Sequence, residues 1–156
     1  DLVLVTLIGA DSITFNRSFA EHGLAPRMLR LASAFDETVL LGIGPDNTEN
    51  LFCASGYFNC VHSSETEAFV SRYEAAFGRS APPAGSVGQS NYEGLRFLEE
   101  AARCAGSLAP NPLLAAADHL VYRGGRGPIT LCRGHAEMPI YLSQADGIEF
   151  RVVKTF

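Results

Sequence analysis

The sequence predicts an α/β fold built on a parallel sheet, and three observations carry that reading. The chain opens on a continuous apolar run, Leu2–Ile8, of the kind found in strands buried on both faces. Through residue 58, strand-like runs alternate with amphipathic segments ending in glycine, the rhythm of strand–helix–strand units. Finally, 47% of the 156 residues are apolar and only 19% are charged, which is enough to bury a core.

Taken in order, Leu2–Ile8 is the first strand, expected at the centre of the sheet with Val3 and Val5 nearly inaccessible; an edge position, or antiparallel neighbours on both sides, would tell against the α/β reading. Gly9-Ala10-Asp11-Ser12 breaks the run. Asp11 or Ser12 can then N-cap a helix over Ile13–His22, with Gly23 as its terminator. Arg30–Ala34 is the second strand, and Asp36-Glu37-Thr38 starts a short helix that ends near Gly42–Gly44. Pro45-Asp46-Asn47 is turn chemistry before a third strand, Leu51–Phe58. The pattern then turns helical. Ser64-Glu-Thr-Glu67 reads as a capping box for a helix to Phe77, which Gly78 stops. A long helix spans Val87–Ala105 before Gly106, and a short one spans Pro112–Asp118 with Asn111 as cap. The end is β-rich: Leu120–Tyr122, Pro128–Cys132, Met138–Ser143 and, after the hairpin signal Asp146-Gly147, Ile148–Val153.

Net charge is −5 and pI about 5.3, which excludes a general nucleic-acid binder, since that needs a positive surface. Mean hydropathy is +0.09, and no apolar run reaches the roughly 20 residues that cross a bilayer, so no membrane insertion is expected. Asp1–Ile8 lacks a basic region and a cleavage site, so it is no signal peptide. It reads as a strand cut from a longer chain. Cys53, Cys60, Cys104 and Cys132 form no C-x-x-C pair and read as small buried residues; neither a metal site nor a cofactor is expected.

Chemistry has few carriers. Cys60-Val-His62 pairs a nucleophile type with a base, a remote cysteine-hydrolase reading, but no nucleophile elbow or protease signature accompanies it. His135-Ala-Glu137 has deaminase spacing without the cysteines that signature requires. Gly42-Ile-Gly44 lacks the lysine of a phosphate loop, and Arg123-Gly-Gly-Arg126-Gly127 reads as a turn. There remains the turn around Gly9, at the carboxyl end of one parallel strand, with Ser33-Ala34-Phe35 after the next. Ligands of open α/β sheets bind at such ends, and helix starts offer free N–H groups there.

The opening run to Gly9, with Phe15, Phe19 and Gly23-Leu24, resembles the second lobe of type I periplasmic binding proteins. The likeness continues through Leu31-Ala-Ser33 with Asp36-Glu37-Thr38, Ala54-Ser-Gly-Tyr57-Phe58, Glu65–Tyr73 with Phe77-Gly78, and Tyr92-Glu93. It ends with Ala105-Gly-Ser107 and Arg126-Gly-Pro-Ile-Thr130. It is most similar to the branch that binds branched-chain amino acids, amides and urea, which includes amide-sensing regulators of amidase operons. The resemblance implies one lobe of a three-layer α/β sandwich, a fragment of a bilobed receptor that closes on a small molecule and is read by an ABC permease in the periplasm, or by a regulator protein in the cytoplasm. It further implies that residues 1–56 belong to the second lobe, that Tyr57-Phe58 lie on a crossover, that residues 57–118 return to the first lobe, and that 119–156 return to the second. By the same resemblance Ile8, Gly9, Ala10, Ser33, Ala34 and Phe35 face the ligand, with no catalytic residue among them. Amino-acid-binding relatives carry a tyrosine and an acidic residue where this chain has Ile8 and Ala34-Phe35. The expected ligand is therefore an amide, urea-like or other small neutral molecule. A lobe missing its partner should also bare apolar surface or self-associate.

Overall fold

The computed structural model describes all 156 residues. The elements are β1 (Leu2–Val5), α1 (Gly9–Glu21), β2 (Leu29–Ala32), α2 (Glu37–Ile43), β3 (Leu51–Ser55), α3 (Ser64–Phe77), α4 (Ser86–Ala105), α5 (Pro110–Ala117), β4 (Val121–Gly124), β5 (Gly127–Cys132), β6 (His135–Glu137), β7 (Tyr141–Asp146) and β8 (Glu149–Thr155). Five strands form one sheet in the order β1-β2-β3-β7-β8. The first three run parallel; β7 and β8 are added antiparallel. The architecture is that of an α/β lobe.

The expected central place of the first strand does not hold. β1 stands at the sheet edge and pairs only with β2. Edge placement leaves the α/β reading intact, because that reading rests on the parallel pairing of β1, β2 and β3 and not on rank in the sheet. Val5 is buried as expected, while Val3 is half-buried.

Side chains alternate across the sheet, and one face holds the core. Val5, Ala32, Leu51, Cys53, Tyr141 and Ala145 pack there with Phe35, Leu40, Ile43, Phe58 and Phe150, and Ile13, Phe15 and Val39 from α1 and α2 close over them. The opposite face is bare: Leu2, Leu4 and Leu29 are 59%, 64% and 44% exposed. Along α4, Val87, Leu95 and Leu98 are likewise exposed. The expected apolar surface is present on both bodies of the chain.

Helices α3, α4 and α5 associate with a separate three-stranded sheet, β4-β5-β6. They have a small core of their own around Tyr57, Phe69 and Ala84, with Val70, Tyr73 and Tyr92 against it. The strands after residue 119 therefore divide. β4, β5 and β6 pair among themselves through tight turns at Gly124–Gly127 and Arg133-Gly134, and only β7 and β8 return to the first sheet. Tyr57 and Phe58, adjacent and both 0% exposed, pack in different cores.

Several boundaries shift for local reasons. Gly9 takes φ +60, which turns the chain directly off β1, so α1 starts there and not at Ile13. Its N-cap is Ile8, without a side-chain bond, and Ser12 is buried with its hydroxyl donating back to the Gly9 carbonyl at 2.7 Å. The cap of α3 is Ser63, whose Oγ accepts from Thr66 N at 3.1 Å; Ser64 lies inside the helix and donates to Glu65. Pro110, not Pro112, is the first residue of α5, after Ala109. The short β6 has every residue exposed, so it carried no apolar signal to read.

Candidate functional site

β1 and β2 pair with Val5 opposite Ala32, so the turns that follow them start side by side at the carboxyl edge of the sheet. Five of the six expected residues share that edge: Ile8, Gly9, Ala10, Ser33 and Ala34 are all exposed, with Ile8 at 70%. The sixth departs. Phe35 is 1% exposed and packs in the main core, so its ring is no wall of a cleft; only its carbonyl is engaged nearby, accepting from the Cys53 thiol at 3.3 Å. Residues alternate in direction as a strand ends, and the step from Ala34 to Phe35 turns the ring inward. The first-turn N–H groups of α1 have no partner within the helix and lie on the same rim. A Cβ built on Gly9 meets nothing within 4 Å, which makes this an open rim and not a closed cavity.

Beyond the rim, Asp36 at the N-cap of α2 ties the two bodies together. Its Oδ1 accepts from Thr38 N at 3.1 Å, capping α2, and its Oδ2 accepts from Ser86 N at 2.8 Å, at the start of α4. The Ser86 carbonyl in turn accepts from Arg126 Nη2 at 2.7 Å. Arg126 also donates through Nε to Gln89 Oε1 at 2.5 Å and pairs with Glu93 Oε2 at 3.6 Å, while its own carbonyl accepts from Tyr141 OH at 3.0 Å. Gln89, Glu93 and Arg126 are all buried. Burial lowers the Arg126 pKa and raises that of Glu93 above the ordinary glutamate range; in both cases it outweighs their mutual attraction. This network joins the start of α2, α4, the turn before β5 and β7.

The motif Arg123–Gly127 reads as a turn and by itself assigns Arg126 no partner. The usable signal was glycine. A Cβ at Gly124 would sit 2.1 Å from Glu93 Oε1, and one at Gly125 would sit 3.3 Å from Gln89 Nε2, so this turn must let α4 approach closely.

Cys60 and His62 border one cavity, together with Glu37 and Glu149. Burial pushes the Cys60 thiol up, the opposite of what an activated nucleophile needs. Glu37 is 4% exposed; its Oε1 accepts from Asn59 N at 2.9 Å, and burial raises its pKa, with Asp36 and Glu149 adding to the effect. A raised carboxyl stabilises the fold fully below the ordinary glutamate range, and that contribution is lost as pH rises through the raised value. Glu37→Gln is therefore expected to flatten the fall in stability as pH rises above the ordinary glutamate range, read from urea midpoints. An unchanged slope would remove Glu37 as its source.

A sequence model of the periplasmic binding protein family matches residues 1–149. No curated protein matches the chain. Among solved structures, an amino acid ABC transporter substrate-binding protein from Pseudomonas fluorescens Pf-5 is 17% identical with a TM-score of 0.86, covering 100% of this chain and 44% of that one. A solute binding protein of an ABC transporter from Rhodopseudomonas palustris BisB5, in complex with 3,4-dihydroxy benzoic acid, is 23% identical with a TM-score of 0.84, over 100% and 45%. A leucine binding protein from Thermotoga maritima MSB8 is 16% identical with a TM-score of 0.79, over 99% and 44%. The chain thus spans less than half the length of the structures it matches.

Proposed function

The chain belongs to the periplasmic binding protein family, and on that premise we propose that it is part of a solute-binding receptor of an ABC-type uptake system, closing on a small amide, urea-like or amino-acid solute. Residues 1–56 with β7 and β8 form the second lobe in this reading, and the helices with β4–β6 return to the first. The observation that carries it is the rim at the carboxyl ends of β1 and β2, an exposed edge beside the polar junction of two separately packed bodies. A ligand that touches both bodies stabilises the closed state by its differential affinity for it, and an ABC permease reads the closure.

The rim favours a neutral solute over a free ammonium. Ile8, Gly9, Ala10, Ser33 and Ala34 bear no charge, and both carboxylate oxygens of neighbouring Asp36 are already occupied. Backbone N–H groups and the Ser33 hydroxyl suit a carbonyl oxygen. No group on this rim is a general base, so the reading is binding without covalent chemistry. Membership of the family supports a periplasmic location, and no helix here is long and apolar enough to cross a membrane.

Calorimetry on the intact protein with acetamide, urea, leucine and benzoate tests the ligand class. Acetamide or urea should bind most tightly; leucine alone would turn the reading toward amino acids. Ala34→Trp should weaken acetamide binding about tenfold or more, because Ala34 is exposed on the rim and a bulky ring there fills the approach. Its melting temperature should move by no more than about 2 °C. Gly9→Val is a less clean probe. The side chain has room, but φ +60 strains a β-branched residue by about 1–3 kcal/mol, so stability falls as well.

A further inference from the structure

A second pocket lies away from the rim, between α2, the crossover after β3 and the β7–β8 hairpin. Its volume is about 340 Å³. Its polar lining is Glu37, Asn59, His62 and Glu149, with the Cys60 thiol beside them. Two carboxyl groups therefore share the pocket, and no lysine or arginine lines it. Leu41, Ile148 and Phe150 supply an apolar wall, and Leu41 and Ile148 are more than 40% exposed there.

Glu37 sets this pocket apart from an ordinary acidic surface. The residue is 4% exposed, and while Oε1 accepts from Asn59 N, Oε2 has no hydrogen-bond partner at all. A buried carboxylate oxygen left without a donor is costly, and natural structures seldom keep one without a use. The lining offers no converging trio of carboxylate, thiol and imidazole groups able to hold a metal ion. What the pocket lacks is a single cationic donor with an apolar body.

We propose that this pocket binds a small primary alkylammonium ion, whose N–H groups donate to Glu37 Oε2 and Glu149 while its alkyl chain packs on Leu41, Ile148 and Phe150. The site is separate from the solute rim and does not depend on the transport reading. Because Glu37 also accepts from the crossover backbone at Asn59, a bound cation strengthens the tie between α2 and the segment that joins the two bodies.

The test is calorimetric titration of the intact protein at neutral pH with n-butylammonium chloride, with n-butanol and sodium chloride as controls. Saturable binding of n-butylammonium is expected, with neither control saturating. Two variants locate it. Glu37→Gln keeps an acceptor for Asn59 and removes the charge; Ile148→Lys, on the exposed hairpin, places a tethered cation at the mouth. Each should weaken n-butylammonium binding about tenfold or more, the range for a charged hydrogen bond. Saturating acetamide, the probe of the rim, should leave the affinity unchanged. Absence of saturation, equal binding of n-butanol, unchanged affinity in both variants, or displacement by acetamide would each overturn the proposal. The solute reading stands or falls separately on the acetamide titration.

Discussion

Arg126→Met is expected to destabilise the protein by about 3–5 kcal/mol, the usual consequence of stripping one partner from a buried ion pair. Arg126 holds Gln89, the Ser86 carbonyl and Glu93 at once, and the buried side chains of Gln89, Glu93 and Arg126 sit at the junction of the two bodies. Without the guanidinium, Glu93 is a buried carboxylate with no opposite charge, and its Oε2 already lacks a hydrogen bond. The loss should depend on pH in a definite direction. Burial already raises the Glu93 pKa, and removing Arg126 raises it further, so the variant's deficit grows as pH rises and shrinks in acid, where Glu93 is protonated. The double variant Arg126→Met, Glu93→Leu should recover much of the loss, since two apolar groups replace two desolvated charges. Urea denaturation of the single and double variants between about pH 5 and 8 decides it. A deficit that is independent of pH and not recovered in the double variant would assign the effect to the lost packing of the arginine stem alone.

Arg30→Met should cost about 3 kcal/mol, seen as a fall of roughly 10 °C in melting temperature. Arg30 sits on the core face of β2 with no exposed surface. Its Nη1 donates to Asn16 Oδ1 at 2.7 Å, and its Nη2 donates to the carbonyls of Asn47 at 2.9 Å and Glu49 at 2.6 Å. The guanidinium also lies 4.9 Å from the centre of the Phe19 ring. Burial lowers its pKa to about 10, partly offset by Glu49, so it stays charged at neutral pH. This one side chain therefore ties α1 to the turn that leads into β3. Methionine fills the volume and leaves three acceptors without a donor. Arg30→Lys should recover less than half the loss, because one ammonium cannot reach Asn16 and both carbonyls in the arginine's fork geometry. Full recovery by lysine would mean that charge alone matters there.

How far the sequence could be read differs element by element. The glycine terminators were legible, because Gly78 and Gly106 take positive φ at the ends of α3 and α4 and few other residues do so without strain. The carboxyl-edge rim was legible for Ile8, Gly9, Ala10, Ser33 and Ala34 from strand–turn–helix order alone. Phe35 was not, since the direction of a side chain at a strand end depends on where that strand stops, and β2 stops at Ala32. The helix starts at Gly9, Ser64 and Pro110 each lie between one and four residues before the expected positions, because several adjacent residues could cap and packing chose among them.

The sequence by itself determined the class of the fold, the parallel direction of its first three strands and the uncharged character of the rim. These follow from local periodicity, turn residues and residue type, which the chain carries at every position. Only the tertiary structure decided that β1 lies at the edge, that β4–β6 form their own sheet, and that Asp36, Ser86, Gln89, Glu93 and Arg126 join across the junction. It also decided that Glu37 is buried with one oxygen unpartnered. The physical reason is common to all four. Strand partners and buried charge networks are set by contacts between residues far apart in the chain, and a charged residue looks the same in sequence whether water or another side chain will surround it.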